Sequence, residues 1–352
     1  MRHAVISFGC RVRDTAGTNV TRHIRPAETV LPIRVVDTRP ITARPPGRAG
    51  AVRSYRAGMS ITTRLVTMAG TAVLVLAGLA APASAAIPGL QRVEATSPTN
   101  SEEHRFVTAT CPDDKLLVSM GGEVVGGHGA VAIGAVRPMG DSPTAIRSVR
   151  VQAAESTSTD FTGNWSVTAY AVCADPLPGL VVVEAKSPST IQSHKHITAT
   201  CPTGKQVVGA GAVAMVGAPY IQMVGLVPDG GPTAAPTSVT ASLFGGIGAG
   251  FGWTASAFAV CADPIPGLST IEHTSVTDST TSKTVTPRCP SGKQLLGTGG
   301  AITGKLHTGS TRSRLGFVSL RPESTEANVG VHELGAIPNE WSVSGYAICA
   351  TA

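Results

Sequence analysis

The stretch CPTGKQVVGAGA, residues 201–212, joins a cysteine and a short polar turn to an apolar run that contains glycine. Two related stretches begin at other cysteines, CPDDKLLVSMGG at residue 111 and CPSGKQLLGTGG at residue 289. Proline restricts φ, and the Gly or Asp two residues later tolerates positive φ, so the pattern predicts a turn. A phosphate loop would need G-x-x-x-x-G-K-[ST] before a helix, and Gln206 follows the lysine here. We interpret the stretch as a corner that leads into a strand, where Gly209 and Gly211 let backbone or a Trp ring approach closely.

The corner belongs to a long internal repeat. The motifs IPGL, LPGL and IPGL at residues 87, 177 and 265 open units of 90, 88 and 88 residues. Each unit ends in one pattern: WSVTAYAVC, WTASAFAVC or WSVSGYAIC. A period near 90 is typical of a small domain and too long for a solenoid repeat. We therefore predict three domains in tandem, like beads on short proline-containing linkers, at 86–176, 177–264 and 265–352.

Alternating hydrophobicity predicts strands throughout these units. In HRFVTATC, residues 104–111, Val107, Ala109 and Cys111 share one face, and the closing strand places Trp165 and Cys173 on one face. Period-two alternation indicates a strand with one buried face. About six short strands per unit, with no convincing amphipathic helix, predict an all-β chain of three antiparallel β-sandwich-like domains.

The cysteines of the repeats predict one disulfide in each unit. Two cysteines about 60 residues apart recur in every repeat, without C-x-x-C spacing and without a recurring histidine. This spacing disfavours a zinc site or a redox pair and favours structural cross-links. The predicted pairs are Cys111–Cys173, Cys201–Cys261 and Cys289–Cys349, whereas Cys10 lies before the repeats.

A non-globular leader and a signal peptide precede the repeats. Residues 1–58 contain 11 Arg and only three acidic residues and show no apolar period, which suggests a misassigned start or a disordered leader. Residues 59–85 then combine a charged start, an apolar run and ASA, with cleavage expected between Ala85 and Ala86. A membrane helix is the competing interpretation, which Pro82 and the cleavage site disfavour. We expect a product secreted from a start at Met59, with no membrane anchor after cleavage.

The positive net charge belongs to the segment that would be removed. The whole chain carries +6, but the leader alone carries +8 and Arg64 one more positive charge, so the repeats carry −3. Nucleic-acid binding thereby loses its main support.

No recurrent chemistry emerges from the repeats. His194 and His196 share a strand face, but no third ligand recurs, and HELG at His332 does not continue to H-E-x-x-H. No nucleophile elbow or recurrent carboxylate pair is found. We therefore expect no metal, no cofactor and no enzymatic activity.

Candidate binding residues are the aromatics that face away from the cysteines and the basic loop of the third unit. Trp165, Trp253 and Trp341 share the cysteine face, which favours core packing over stacking on sugars. The loop TGKLHTGSTRSR, residues 303–314, lengthens the third unit. The binding candidates are Tyr170, Phe258, Tyr346, Lys305, Arg312 and Arg314.

The combined pattern C-P-x-G-K-x-[VL]-[VL]-G-x-G-[AG] followed by W-[ST]-[VA]-x-[AG]-[YF]-A-[VI]-C-A resembles exported actinobacterial proteins of uncharacterised function. The resemblance covers nearly all of residues 87–352, and the first unit departs from it at Asp113, Asp114, Ser119 and Met120. The chain is also similar to egg vitelline outer-layer proteins, whose repeats are shorter and whose cysteines differ. Both resemblances imply a secreted all-β protein, and neither implies a catalytic mechanism.

We therefore predict an extracellular or cell-surface protein with a binding or structural role. Three similar domains would raise avidity for a repetitive partner such as a cell-wall polymer or polysaccharide, and a protein ligand is a further candidate. The alternative is an exported hydrolase or inhibitor with its site in the loops of the third domain.

Overall fold

The computed structural model describes residues 87–127, 129–156, 161–215, 221–245, 252–304 and 314–352, which form one compact unit. These residues form strands, turns and loops, which confirms the predicted all-β class. Within these ranges no helix is long and apolar enough to cross a membrane. The leader and the predicted signal peptide, including Ala85 and Ala86, lie outside the described residues.

Each repeat contributes six strands. The first repeat forms β1 Gln91–Thr96, β2 His104–Thr110, β3 Leu116–Gly126, β4 Val131–Gly140, β5 Ile146–Glu155 and β6 Trp165–Ala174. The second forms β7 Val181–Lys186, β8 His194–Thr200, β9 Gln206–Met215, β10 Ile221–Pro228, β11 Ser238–Gly245 and β12 Thr254–Ala262. The third forms β13 Ser269–Thr274, β14 Ser282–Val285, β15 Lys293–Gly304, β16 Leu315–Pro322, β17 Ala327–Glu333 and β18 Trp341–Thr351.

The eighteen strands form three six-stranded antiparallel sheets. Sheet I has the order β1-β6-β3-β16-β17-β14, sheet II the order β2-β5-β4-β9-β12-β7, and sheet III the order β13-β18-β15-β10-β11-β8. Every repeat places three strands in each of two sheets, and these two halves pack face to face. Each repeat is therefore a two-sheet, sandwich-like unit, as the alternation predicts.

The repeats are not beads on linkers, which corrects the expectation of separate tandem bodies. We call a place where strands of two repeats pair within one sheet a seam. Seam I joins β3 to β16, seam II joins β4 to β9, and seam III joins β15 to β10. The composition of the linkers could not reveal the seams. Each seam joins the inner strands of two half-sheets, and these strands lie far from the linkers in the sequence.

Glycine and proline at equivalent positions make the seams possible. A Cβ on Gly121 would lie 2.1 Å from the Leu320 carbonyl oxygen and 2.6 Å from Pro322 Cδ. A Cβ on Gly211 or Gly299 would lie 2.6 or 2.3 Å from the equivalent carbonyl of its neighbouring repeat. Real side chains do not approach backbone so closely, so only glycine fits. The predicted close approach at Gly211 is thus confirmed, and its partner is the backbone of another repeat.

The three corner stretches also approach one another inside the molecule. Strands β3, β9 and β15 each contain a register shift next to a fully buried residue, Val118, Val208 or Leu296. A Cβ on Gly209 would lie 2.4 Å from the Val118 carbonyl oxygen, and one on Gly297 would lie 2.5 Å from the Val208 carbonyl oxygen. The apolar run of the opening stretch is therefore where neighbouring repeats meet.

The corner itself is tied to the start and end of its repeat. Gly204 and Gly292 have φ of 85° and 79°, as predicted for the turn. Lys205 does not simply face water: its Nζ lies 2.6 Å from Asp263 of the ADP motif, and Lys115 pairs with Asp175 in the same way. The hydrogen bond to Asp175 raises the pKa of Lys115. In the first two repeats the motifs C-P-x-x-K and A-D-P thus form one ion pair, whereas Lys293 of the third repeat donates to the Gly267 carbonyl and to Ser269.

The disulfides form as predicted, one in each repeat. Bonds join Cys111 to Cys173, Cys201 to Cys261 and Cys289 to Cys349. Each bond links the end of one half-sheet to the central strand of the facing half-sheet. A closed loop of this length contributes roughly 4 kcal/mol in the chain-entropy model.

The three Trp side chains are core residues, as predicted from their shared face with cysteine. Trp165, Trp253 and Trp341 are each at most 2% exposed. Their indole N–H groups donate to Glu155, to the Gln192 carbonyl and to Glu333, at 2.9, 2.8 and 3.3 Å respectively. Their polar atoms are thereby satisfied within the protein, and the burial of the rings leaves no indole face free for a sugar.

A buried cation lies over each Trp ring, which the alternation pattern did not reveal. The charged groups of Arg105, Lys195 and Lys283 lie 4.8, 4.8 and 4.9 Å from the ring centroids. All three residues are at most 7% exposed. Lys283 pairs with Asp278, whereas among the described residues Lys195 donates to the neutral Thr190 hydroxyl and Pro188 carbonyl, and burial lowers its pKa. On strands β2, β8 and β14, these cations occupy inward-facing positions, and their neighbours along the strand face outward.

Candidate binding site

The predicted aromatic candidates lie on the outer faces of the sheets, next to the seams. Tyr170, Phe258 and Tyr346 occupy equivalent positions on β6, β12 and β18. Each is paired on one side with a glycine of the inner strand and on the other with a glutamate of the edge strand. The glycines are Gly121, Gly211 and Gly299, and the glutamates are Glu94, Glu184 and Glu272.

These aromatics are less exposed than expected. Tyr170 and Phe258 are only 5% exposed, and Tyr346 is partly buried. The glycine beside each ring admits the backbone of the next repeat, and Phe258 packs against Ala135 of that repeat, whereas Arg92 lies over the Tyr170 ring. Alternation identifies the outer face of a strand but not what a neighbouring repeat places upon it.

A line of side chains crosses each sheet at its seam, and we call it a seam row. The register between strands places these residues directly opposite one another on one face. Row II, in sheet II, consists of Thr108, Arg150, Arg137, Gly211, Phe258 and Glu184. Row I contains Asn328, Arg321, Gly121, Tyr170 and Glu94, and row III contains Thr240, Val227, Gly299, Tyr346 and Glu272.

Row I is closed by ion pairs. The Tyr170 hydroxyl donates to Glu123 at 2.8 Å, and Glu123 also accepts two hydrogen bonds from Arg321. Arg321 contacts Glu323 at 2.7 Å, and Arg92 contacts Glu323 at 2.9 Å and lies over the Tyr170 ring. Burial and the hydrogen bond to Glu123 raise the pKa of Tyr170 well above its usual range. Every charged group in this row has an internal partner, so the row has a structural explanation.

Row III carries little charge. The Tyr346 hydroxyl donates to Glu272 at 3.3 Å, and burial followed by the charge of Glu272 raises the pKa of Tyr346 to about 12. Val227 stands where row I has Arg321. This row offers no basic group at its centre.

Row II borders an open pocket of about 290 Å³ between the first and second repeats. The turn 141–145, which joins β4 to β5, forms one wall, and β7 and β12 form the other. The backbone N–H of Val182 donates to the Pro143 carbonyl at 2.8 Å and fixes the turn against β7. The pocket is lined by Arg137, Pro138, Met139, Gly140, Asp141, Ser142, Pro143, Ile146, Val182, Glu184 and Phe258.

Some polar groups of this pocket have hydrogen-bond partners within the protein, and others do not. Glu184 accepts a hydrogen bond from Ser256 at 2.6 Å. The Nε of Arg137 is buried and has no hydrogen-bond partner, and no carboxylate of the described residues lies within 4.0 Å of its guanidinium. An unpaired buried donor is costly, so a ligand that accepts from Arg137 would be favoured.

Arg314, the one basic candidate among the described residues, does not line this pocket. Lys305 and Arg312 lie outside the described residues. Arg314 is exposed and donates to the Ala336 carbonyl at 3.0 Å. His196 contacts the Ser242 hydroxyl at 2.8 Å, and His194 contacts Ser193 and packs edge-on against Phe244. In the ranges that the structure describes, no group of three or more His, Cys, Asp or Glu side chains could hold a metal ion.

The sequence contains a signal for Arg137 that alternation and spacing within one repeat do not reveal. Arg137 and Arg321 both directly precede the proline shared by the repeats, whereas Val227 stands there in the second repeat. A comparison of the repeats at this position shows an arginine before the shared proline in two repeats and a valine in the other. Whether each arginine was paired depended on residues of another repeat, so the sequence pattern could not distinguish them.

Comparison with known protein families finds no family model that matches this chain, and comparison with curated proteins finds no match either.

Proposed function

We propose that this protein is a secreted, non-enzymatic binding protein that recognises a polysaccharide or another cell-wall polymer through the pocket of row II. Three structural disulfides are consistent with an extracellular protein, because such bonds persist in oxidising compartments. The proposal rests chiefly on one observation: the pocket at seam II is lined by Arg137, a partly buried arginine whose Nε is enclosed and has no hydrogen-bond partner among the described residues.

The composition of the pocket supports a sugar polymer as the ligand. Met139 and Val182 are partly exposed and offer apolar surface, while Arg137, Ser142 and Glu184 offer hydrogen-bonding groups. Pockets that combine apolar surface with a few placed polar groups are typical of small-ligand sites. Its position on the surface of a sheet, open at a seam, would accept one residue of a longer chain.

Depletion from solution by insoluble polymers tests the proposal. The disulfide-bonded chain from residue 87 onward is mixed with purified cell wall and with a panel of insoluble polysaccharides, and the unbound fraction is measured. We expect retention by at least one polymer and loss of retention in Ser142→Tyr, which narrows the pocket. Ser291→Tyr, on an exposed turn of the third repeat, is the matched control and should be retained as the parent is. A parent protein that stays in solution with every polymer would contradict the proposal.

A further inference from the structure

Two arginines lie directly opposite each other on the outer face of sheet II. Arg137 on β4 and Arg150 on β5 are cross-strand partners. The Arg150 side chain is exposed, donates from Nε to Thr108 at 3.4 Å and lies 5.4 Å from the ring centroid of Phe106, which is itself exposed. Like charges directly opposite one another destabilise a sheet, and no described carboxylate lies within 4.0 Å of either guanidinium. A bound anion would therefore relieve the repulsion between these two guanidinium groups.

The other seams show that this charge imbalance is particular to row II. In row I, Arg321 occupies the position of Arg137 and is neutralised by Glu123 and Glu323. At seam II, Val213 stands at the position of Glu123 and Met139 at the position of Glu323. Arg150 stands where row I has Asn328 and row III has Thr240. Seam II thus keeps the arginine, lacks both acidic partners and adds a second arginine.

The charges of row II are separated along the row. Glu184 lies three strands from Arg137, roughly 14 Å at the usual strand spacing. Between them lie Gly211, which has no side chain, and Phe258. The row therefore has a basic end at Arg137 and Arg150, an apolar middle and an acidic end where Glu184 could accept hydrogen bonds from hydroxyl groups. Asp141, on the turn above, offers a second acceptor for hydroxyl groups.

We propose that row II binds a carboxylated glycan, with the carboxylate of a uronic acid residue between Arg137 and Arg150. The planar guanidinium groups match a carboxylate through paired N–H donors. The hydroxyl groups of the sugar donate to Glu184 and Asp141, and its apolar face lies against Val182. This inference rests on the proposed function and specifies its ligand class.

Two forms of one polymer test the role of the carboxylate. Binding of the disulfide-bonded protein is measured to immobilised polygalacturonate and to the same polymer after full methyl esterification, which removes the charge and keeps the sugars. We expect the esterified polymer to bind at least about tenfold more weakly, because each charge-assisted hydrogen bond is worth about that factor. Raising the salt concentration should weaken binding to the acidic form.

Arginine variants locate the site. Arg150→Gln changes an exposed side chain, so it keeps the test valid if Arg137→Gln is destabilised. Each should reduce binding to polygalacturonate by about tenfold, as expected for a lost charge-assisted contact. The control is Arg288→Gln, which removes the same charge from an exposed position in the third repeat. Equal binding of the two polymer forms, or of Arg150→Gln and the parent, would overturn the carboxylate assignment. Retention by neutral polymers alone would do so as well while leaving the proposed function intact, and no retention by any polymer would remove both.

Discussion

The carboxylate of Glu123 in the first repeat accepts hydrogen bonds from the guanidinium of Arg321 in the third repeat, at 3.0 and 3.1 Å. The same carboxylate accepts the hydroxyl of Tyr170. One side chain thus holds together two repeats whose interacting residues are about 200 positions apart in the sequence.

We expect Glu123→Ala to destabilise the protein by about 1–3 kcal/mol, because Arg321 and Tyr170 would each lose a partner in a partly buried setting. The free energy of unfolding is measured by denaturant titration with the disulfides intact. Glu94→Gln serves as the control, since Glu94 is largely exposed and lies 3.8 Å from Arg92. A Glu123→Ala protein as stable as the control would show that row I is not a structural lock.

We expect Gly121→Ala and Gly299→Ala to destabilise strongly. Their new Cβ atoms would meet a carbonyl of the neighbouring repeat at 2.1 and 2.3 Å, so a seam must open. Overpacking of this kind costs typically 1–3 kcal/mol and sometimes more. Gly231→Ala is the matched control, because nothing lies within 4 Å of its added Cβ. Thermal unfolding of the three variants is compared, and similar midpoints for all three would contradict the close approach at the seams.

We expect the three repeats to unfold together. Their sheets are continuous across the seams, so opening one repeat removes strand neighbours from the other two. Calorimetry of the oxidised chain should show one transition, with a calorimetric enthalpy that agrees with the van't Hoff value. The second repeat alone, residues 177–264, should give no such transition at the same concentration. Three resolved transitions in the whole chain would instead indicate independent domains.

We expect Asp278→Asn to destabilise the protein at pH 7 and to destabilise it less near pH 2. The hydrogen bond from Lys283 lowers the pKa of Asp278. A carboxyl group with a lower pKa in the folded state favours folding above its unfolded pKa of about 4, and this contribution is lost as the pH falls through the folded pKa. Denaturant titrations at both pH values measure the difference between variant and parent.

The control for this acid dependence is Glu102→Gln. Glu102 lies 3.9 Å from the equivalent buried cation, Arg105, but is largely exposed, so its loss should change stability little at either pH. An Asp278→Asn protein whose deficit is the same at pH 7 and pH 2 would contradict the role assigned to the ion pair.

Much of the local structure was predictable. The turn at Gly204, the burial of Trp253 and the bond between Cys201 and Cys261 all follow from short-range patterns read across three copies. The burial of Phe258 and the ion pair of Lys205 with Asp263 were missed. In both cases the deciding contact comes from a distant part of the chain.

The candidate site was predicted only in part. Phe258 was among the expected binding residues and does line the pocket, but Arg137 and Arg150 were not singled out. Their importance depends on what is absent around them: Val213 and Met139 stand where another seam has carboxylates. That comparison requires knowing which repeat pairs with which.

The sequence by itself determined the strand class, the repeat boundaries, the corner and the partner of each cysteine. Alternation, turn chemistry and spacing act within one repeat, so three imperfect copies are enough to read them. Only the tertiary structure decided that the repeats share their sheets and that Arg137 at seam II lines an open pocket. The inner strands β3, β9 and β15 need hydrogen-bond partners on their second edges, and the shape of the neighbouring repeat determines which strand supplies them.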